Sequence, residues 1–235
     1  MENVKDIDGN SYKTVKIGEQ IWMAENLKVT RYRNGDQIPT GYGGSEWHEL
    51  KTGAFAVYDD NPLNAMEHGN LYNWYAVVDE RNISPKGWHV ASFDEWNELI
   101  DFLEIEPWYR EEAFSGFYAD ITGRITGGKP KTPSNRELAR RDKYKSPKMR
   151  AFNLTDSGCR HWVGQYLNNE HVEHCIYEGV NDGKNCFWAS DKVVYTKHGG
   201  GGINMGYCIM LQVFNTGMKF FSCKEGGFSV RCVKD

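Results

Sequence analysis

"GFSVRCV" (residues 227–233) alternates two kinds of side chain: Phe228, Val230 and Cys232 on one side, Ser229 and Arg231 on the other. A period of two is the period of a β-strand, and Gly226 and Gly227 ahead of it suit a turn. Working back along the chain, further strand-like pieces come in short lengths: "MKFFSC" (218–223), "GYCIMLQVF" (206–214), "NCFWAS" (185–190) and "AFNLTD" (151–156). Glycine-rich or polar turns separate them. "VFNTGMKFF" (213–221), with Asn215-Thr216-Gly217 at its centre, predicts a hairpin. The last third therefore reads as a twisted antiparallel sheet.

The first half adds other elements. "DGNSYKTVKIG" (8–18) predicts a β-hairpin around Asp8-Gly9-Asn10, and Gly18-Glu19 turns the chain again. "EQIWMAENL" (19–27) continues as a second strand into a buried turn. From residue 33 to 62 the composition shifts to Gly, Asp, Asn and Pro, which predicts a long irregular connection holding one short strand at "GAFAVYDD" (53–60). "GNLYNWYAVVD" (69–79) mixes helical and strand spacings and predicts a short helix or irregular core segment packed by Trp74. "SPKGWHVAS" (84–92) predicts a turn and a short strand. "SFDEWNELIDFLEI" (92–105) is the strongest helix signal: Ser92 caps it, Glu95 completes a capping box, and Trp96, Leu99, Ile100 and Leu103 form one stripe. Residues 106–150 read as an insertion within a single domain spanning 1–235. The fold class is α+β.

Composition narrows the function classes. A net charge of −4 argues against a nucleic acid partner, and the basic run at 135–150 is interleaved with acids, as on a solvated face. No apolar run approaches the ~20 residues of a membrane span. The opening "MENVKDIDGN" is polar, so no signal peptide is expected there. All six cysteines (Cys159, Cys175, Cys186, Cys208, Cys223, Cys232) lie in the last third without a C-x-x-C pair, so zinc has little support. Three disulfides and free buried thiols both remain open.

Five separated stretches in one order carry a resemblance: "DGNSYKTVKIGEQIWMAENL", "GNLYNWYAV", "PKGWHVASFDEWNEL", "FWAS" and "GFSVRCVKD". With them the chain resembles the FISUMP family, the Fibrobacter succinogenes major paralogous domain, leaving about 104–150 and 165–185 unmatched. The resemblance implies a C-type-lectin-like fold, distantly related to formylglycine-generating enzymes. In that fold the N- and C-terminal strands pair, helices flank them, and a small antiparallel sheet with long loops presents a surface. "FSVRCV" would then close the sheet beside the first hairpin. Such proteins are typically surface or secreted proteins of bacteria, often lipoproteins. Some related lectin-like domains are varied by diversity-generating retroelements in bacteria and phages. The family often carries Cys-Pro before "GWH", where this chain has Ser84-Pro85. A partner for Cys232 at that place is absent, so an oxidised Cys232 would pair with another late cysteine such as Cys208 or Cys223.

The resemblance thus implies a non-catalytic ligand-binding domain of adhesin or receptor-binding type. It would sit in the extracellular space, at a cell surface or on a phage virion. Its partner would be a protein or glycan ligand, without cofactor or metal, and with room for a homo-oligomer. Carried over by position, residues 195–226 are the ligand-facing region. The candidate contacts are Tyr195, His198, Asn204, Tyr207, Gln212, Phe214, Asn215, Lys219, Phe221 and Lys224. Strand alternation predicts about half of the aromatics there to be exposed, whereas Trp22, Trp74, Trp88, Trp96 and Trp188 are assigned to the core. Two alternatives stand beside this: a structural module of a surface fibre or phage tail, and a formylglycine-generating-type oxidase using Cys223 and Cys232. "NNEHVEHC" (168–175) lacks the H-E-x-x-H pattern and reads as a solvated loop. Asn181-Asp182 reads as an Asx turn, and "HGGGGIN" (198–204) as a loop at a binding rim.

Overall fold

The turn at residues 6–10 starts from one carboxylate. Asp6 Oδ1 accepts the N–H groups of Asp8 and Asn10, and Oδ2 takes the Tyr12 hydroxyl at 2.6 Å. This closes β1 (Val4–Lys5) onto β2 (Ser11–Tyr12). Gly18, at φ +60°, then turns β3 (Thr14–Ile17) into β4 (Gln20–Met23), as the sequence predicts. The structure, a computed structural model, describes residues 3–103, 106–107, 152–153, 157–167, 170–178, 184–196, 202–212, 216–223 and 226–235.

The connection predicted as irregular is more ordered than that. It holds α1 (Gly44–Glu49), whose Glu46 side chain reaches back to the Gly43 N–H and whose Trp47 is buried. The expected strand follows as β5 (Phe55–Val57), and then comes α2 (Asn64–His68). "GNLYNWYAVVD" divides into β6 (Asn70–Tyr72), paired with β5, and α3 (Trp74–Val77), which Asn73 caps by accepting the Ala76 N–H. β7 (Trp88–Val90) and α4 (Phe93–Phe102) fall where predicted. Ser92 and Glu95 form the predicted capping box, and Trp96, Leu99 and Ile100 are buried on one stripe.

The late strands are β8 (Glu106–Pro107), β9 (Cys159–Leu167), β10 (Glu170–Glu178), β11 (Lys184–Thr196), β12 (Gly202–Gln212), β13 (Thr216–Cys223) and β14 (Cys232–Lys234). β9 and β10 pair as a long hairpin, so "NNEHVEHC" is not a loop where it is described. "AFNLTD" is not a strand where described: Phe152 and Asn153 have helix and turn conformation, Asn153 at φ +50°. The rest of the predicted insertion lies outside the described residues.

Two four-stranded sheets organise the interior. One has the order β3-β4-β14-β7, the other β11-β12-β13-β8 with only the short β8 parallel. Cys186, Trp188 and Cys208 belong to one apolar cluster, with Tyr12, Tyr72, Trp74, Trp88, Phe228, Val230 and Cys232. Phe187, Ala189 and Ile209, their neighbours in the chain, belong to another, with Val15, Trp22, Trp96, Leu99, Phe152 and Val233. At these positions the second sheet therefore separates two cores and is covered on both faces. Aromatic rings join the second core: Trp22 lies 4.8 Å from Trp96, which lies 5.0 Å from Phe187.

The closing strand enters between β4 and β7, Val233 opposite both Trp22 and His89. It sits beside the β3–β4 hairpin rather than the one around Asp8-Gly9-Asn10, and Phe228, Val230 and Cys232 share one core as the alternation requires. Its polar face is also buried. Arg231 is fully enclosed: Nε donates to Asn26 Oδ1 at 2.6 Å, Nη1 to the Met23 and Phe152 carbonyls, and Nη2 to the Asn153 carbonyl. Its guanidinium also lies 4.8 Å from the Phe152 ring centre. Burial pushes its pKa down from the usual 12.5 to about 9, so it stays protonated at neutral pH. Gly227 serves a close approach rather than a turn. It exchanges two backbone hydrogen bonds with Arg160, and an added Cβ would sit 3.1 Å from Arg160 Cβ and 3.2 Å from the Trp47 ring.

Candidate functional site

The ten residues expected to contact a ligand fall on β11, β12, β13 and the segments between them. Lys184 to Trp188 pair in order with Gln212 to Cys208. The register then shifts, and pairing resumes from Lys192↔Gly206 to Thr196↔Gly202. Tyr195 is opposite Ile203, and Asn204 opposite Val194. Tyr207 and Phe221 are direct register partners, and Lys219 is opposite Ile209. Gln212, opposite Lys184 and Thr216, closes the far end of β12. His198, Phe214, Asn215 and Lys224 lie outside the described residues, as do Asn181 and Asp182.

β12 spans 11 residues, about 35 Å at ~3.3 Å per residue. The six placed positions are thus strung along the strands, with Tyr207 and Phe221 brought directly together and Tyr195 and Gln212 at opposite ends. Between those ends the strands are rooted, because residues 185–189, Cys208 and Ile209 are buried. In this root alternation exposes nothing, because each face meets a core. All five tryptophans assigned to the core are buried.

Hydrogen bonds clamp the root. Trp188 Nε1 donates to the Tyr72 carbonyl at 2.7 Å, and the Trp188 N–H to the Ser229 carbonyl at 3.0 Å. Asn185 Oδ1 accepts from the Ser157 N–H, and the Asp191 carboxylate accepts the Phe93 N–H at the start of α4. Cys159, Cys186, Cys208 and Cys232 are buried thiols outside any disulfide. Burial pushes the Cys208 thiol up, against a hydrogen bond to Cys186 that acts the other way, and burial pushes the Cys232 thiol up as well. Neither has the low-pKa character of a reactive cysteine. Cys223 and Cys232, the pair nominated for metal-assisted oxidation, lie on β13 and β14 in different sheets.

Two polar clusters escaped the sequence reading. His89 lies between carboxylates, Nε2 2.7 Å from Glu95 and Nδ1 2.8 Å from Asp235, which ties β7 to α4 and to the closing segment. The hydrogen bond to Glu95 outweighs partial burial and, with Asp235, raises its pKa to about 9. Burial alone would raise Glu95, but its bonds to His89 and Ser92 lower it overall. In the other cluster, Arg160 packs its guanidinium 4.6 Å from the Trp47 ring and 5.2 Å from the Tyr177 ring, and donates to the Tyr42 carbonyl. Tyr177 in turn donates to Asp60 at 2.7 Å and packs 5.3 Å from Tyr58. The capping box and "GWH" hinted at the first cluster. The second joins residues over a hundred positions apart, and no spacing signals it.

A last strand paired with an early one, a capped helix beside them and a second sheet with long late strands define an α+β domain. The chain belongs to the Fibrobacter succinogenes major domain family (Fib_succ_major), whose model matches residues 15–234. No curated protein and no solved structure gives a match. Among the described residues no helix is long and apolar enough to cross a membrane.

Proposed function

We propose that this chain is a non-catalytic ligand-binding domain of C-type-lectin-like architecture that presents the late strands to a protein or glycan. The observation that carries the reading is the contrast along β11 and β12. Their root is fixed between two cores, and past the register shift after Trp188 the same strands run on through Lys192–Thr196 and Gly202–Gly206. A rigid root under long strands suits a surface whose side chains change while the scaffold stays. Tyr195, His198, Asn204, Tyr207 and Phe221 would form one part of the contact. Gln212, Phe214, Asn215, Lys219 and Lys224 would form the rest, by shape and hydrogen bonding rather than acid–base chemistry. The domain would work as an adhesin or receptor-binding module outside the cell, at a cell surface or on a phage virion. Any retroelement-driven variation would fall on these strands.

The test is a glycan and cell-surface-protein screen with and without EDTA, repeated with Tyr195→Ala, Tyr207→Ala and Phe221→Ala together. A hit that survives EDTA and weakens at least about tenfold in the triple variant supports the reading. A hit untouched by the three substitutions overturns it, and a hit lost on EDTA moves the site to Asn181-Asp182.

A further inference from the structure

We infer that this chain associates with a second copy of itself, head to tail. The acidic, aliphatic α2 surface of one copy seats on the basic, apolar end of the β3–β4–β14–β7 sheet of the next. The inference rests on elements other than the late strands and does not depend on the reading above.

The first surface is the segment around α2. Leu63 and Met66 are 77% and 74% exposed, the two most exposed large apolar side chains among the described residues. Asp59, Asp60 and Glu67 are exposed beside them in the chain, residues 52–80 contain no Lys or Arg, and Lys28 joins Glu25 in a cleft shared with Met66 and Glu67. This surface is held in shape. The Asp60 carboxylate accepts the Tyr177 hydroxyl at 2.7 Å, Asn64 Nδ2 donates to the Tyr58 carbonyl at 2.9 Å, and Asn61 Oδ1 accepts the Leu63 N–H at 3.2 Å. Solvated apolar side chains on a pre-ordered acidic segment mark a contact surface for something cationic and apolar.

The second surface has that chemistry. At the outer end of the first sheet a cleft of about 280 Å³ is lined by Val4, Lys16, Ile21, Trp88 and Lys234, among others. Lys16 is the register partner of Ile21, and Lys234 of Trp88, so cationic and apolar residues alternate across the strands. Leu63 and Met66 supply apolar groups for the half-buried Val4 and Ile21, with Trp88 buried at the floor. Asp59 and Glu67 supply anions for Lys234 and for Lys16, whose exposed pair with Glu19 at 3.3 Å they would share or displace. Because the two surfaces are different, the contact is heterologous, and each added copy leaves one surface of each kind free. Small knobs and a small cleft make it weak, reversible and salt-sensitive.

Sedimentation velocity on the full chain tests this at concentrations from about 10 μM to about 500 μM, in ~50 mM and ~500 mM NaCl. The expected result is a mass that rises with concentration at low salt and returns to the monomer at high salt. Lys16→Glu with Lys234→Glu, and separately Leu63→Lys with Glu67→Lys, should each weaken association at least about tenfold. All four positions are exposed, so an unchanged far-UV spectrum and melting temperature establish folding. Mixing the two double variants restores one native contact and should restore association between them. A wild type that stays monomeric throughout, charge reversals without effect, or a mixture that stays monomeric would each overturn the pairing. A ligand screen that finds nothing leaves these outcomes unchanged, so the two proposals fail separately.

Discussion

Residues 227–233, bridges leading into β14, and residues 58–68, a 3-10 turn followed by α2, are both short, yet every residue of the first is buried and no residue of the second is. Length does not separate them. The destination of their polar groups does. In the closing segment Arg231 satisfies carbonyls of the 23–26 turn and of residues 152–153, and Gly227 exchanges backbone hydrogen bonds with Arg160. In the α2 segment the hydrogen bonds stay mostly local, with Tyr177 as an outside anchor, and the apolar groups face water. Backbone inside a core has to find specific partners, whereas short helical turns outside it are free to carry a contact surface.

The strongest way to break this contrast is Arg231→Met. It removes four hydrogen bonds from an enclosed site and leaves buried acceptors unpaired, so a loss of about 3–5 kcal/mol in chemical denaturation is expected. A loss below about 1 kcal/mol would mean that apolar packing alone holds the segment. Arg231→Lys should recover little, because one ammonium cannot span all four acceptors.

Gly69 sits where the two regions approach each other. It ends α2 at φ +77°, and an added Cβ would lie 2.7 Å from Asn26 Cβ and 2.8 Å from the Leu27 carbonyl oxygen. Asn26 is also the residue that receives Arg231. Gly69→Ala should therefore cost about 2 kcal/mol or more, through strain and displacement of Asn26. Unfolding free energy measures it, and a neutral result would show that the α2 end yields without disturbing the core.

His89 sharpens the comparison through pH, because it fastens the closing segment to α4. Its folded pKa, about 9, lies above the unfolded value of 6.5, so its contribution is fully present below about pH 6.5 and fades as pH rises through 9. Wild-type stability should fall over that range relative to His89→Gln. Parallel curves for the two proteins would show that the Glu95–His89–Asp235 contacts do not hold the segment. The effect should be modest, since the imidazole is partly exposed and the pairs are screened.

The smallest expected effect is at the other region. Leu63→Ser with Met66→Ser should leave unfolding free energy within about 0.5 kcal/mol of wild type, since neither side chain is buried. A larger loss would place α2 in the fold's own packing rather than in a contact surface.

How much of this was legible follows from the range of each interaction. The turns at 8–10 and 18–19, the Ser92–Glu95 capping box and the Trp96–Leu99–Ile100 stripe are set by residues a few positions apart, and all were readable. The helices α1 and α2 have 6 and 5 residues, too short to show a period among glycines, prolines and acids. The β9–β10 hairpin was missed at "NNEHVEHC" because its charges and histidines masked a strand pattern. For the candidate site, the strands at 206–212 and 218–221 were readable and their pairing followed. The buried root was not, since alternation predicts one wet face and gives no sign that a second core covers it.

The sequence by itself determined the α+β class, the early hairpin, the capped helix, the tryptophan core and the family, because these rest on local chemistry or on motifs in a fixed order. Only the tertiary structure decided the rest. It set the closing strand between β4 and β7, enclosed Arg231 among carbonyls and buried the late-strand root on both sides. It also left Leu63 and Met66 in water on one surface, and Lys16 and Lys234 beside Val4 and Ile21 on another. The physical reason is that burial and hydrogen-bond partnership belong to pairs of residues far apart in the chain, and no single stretch contains both members of such a pair.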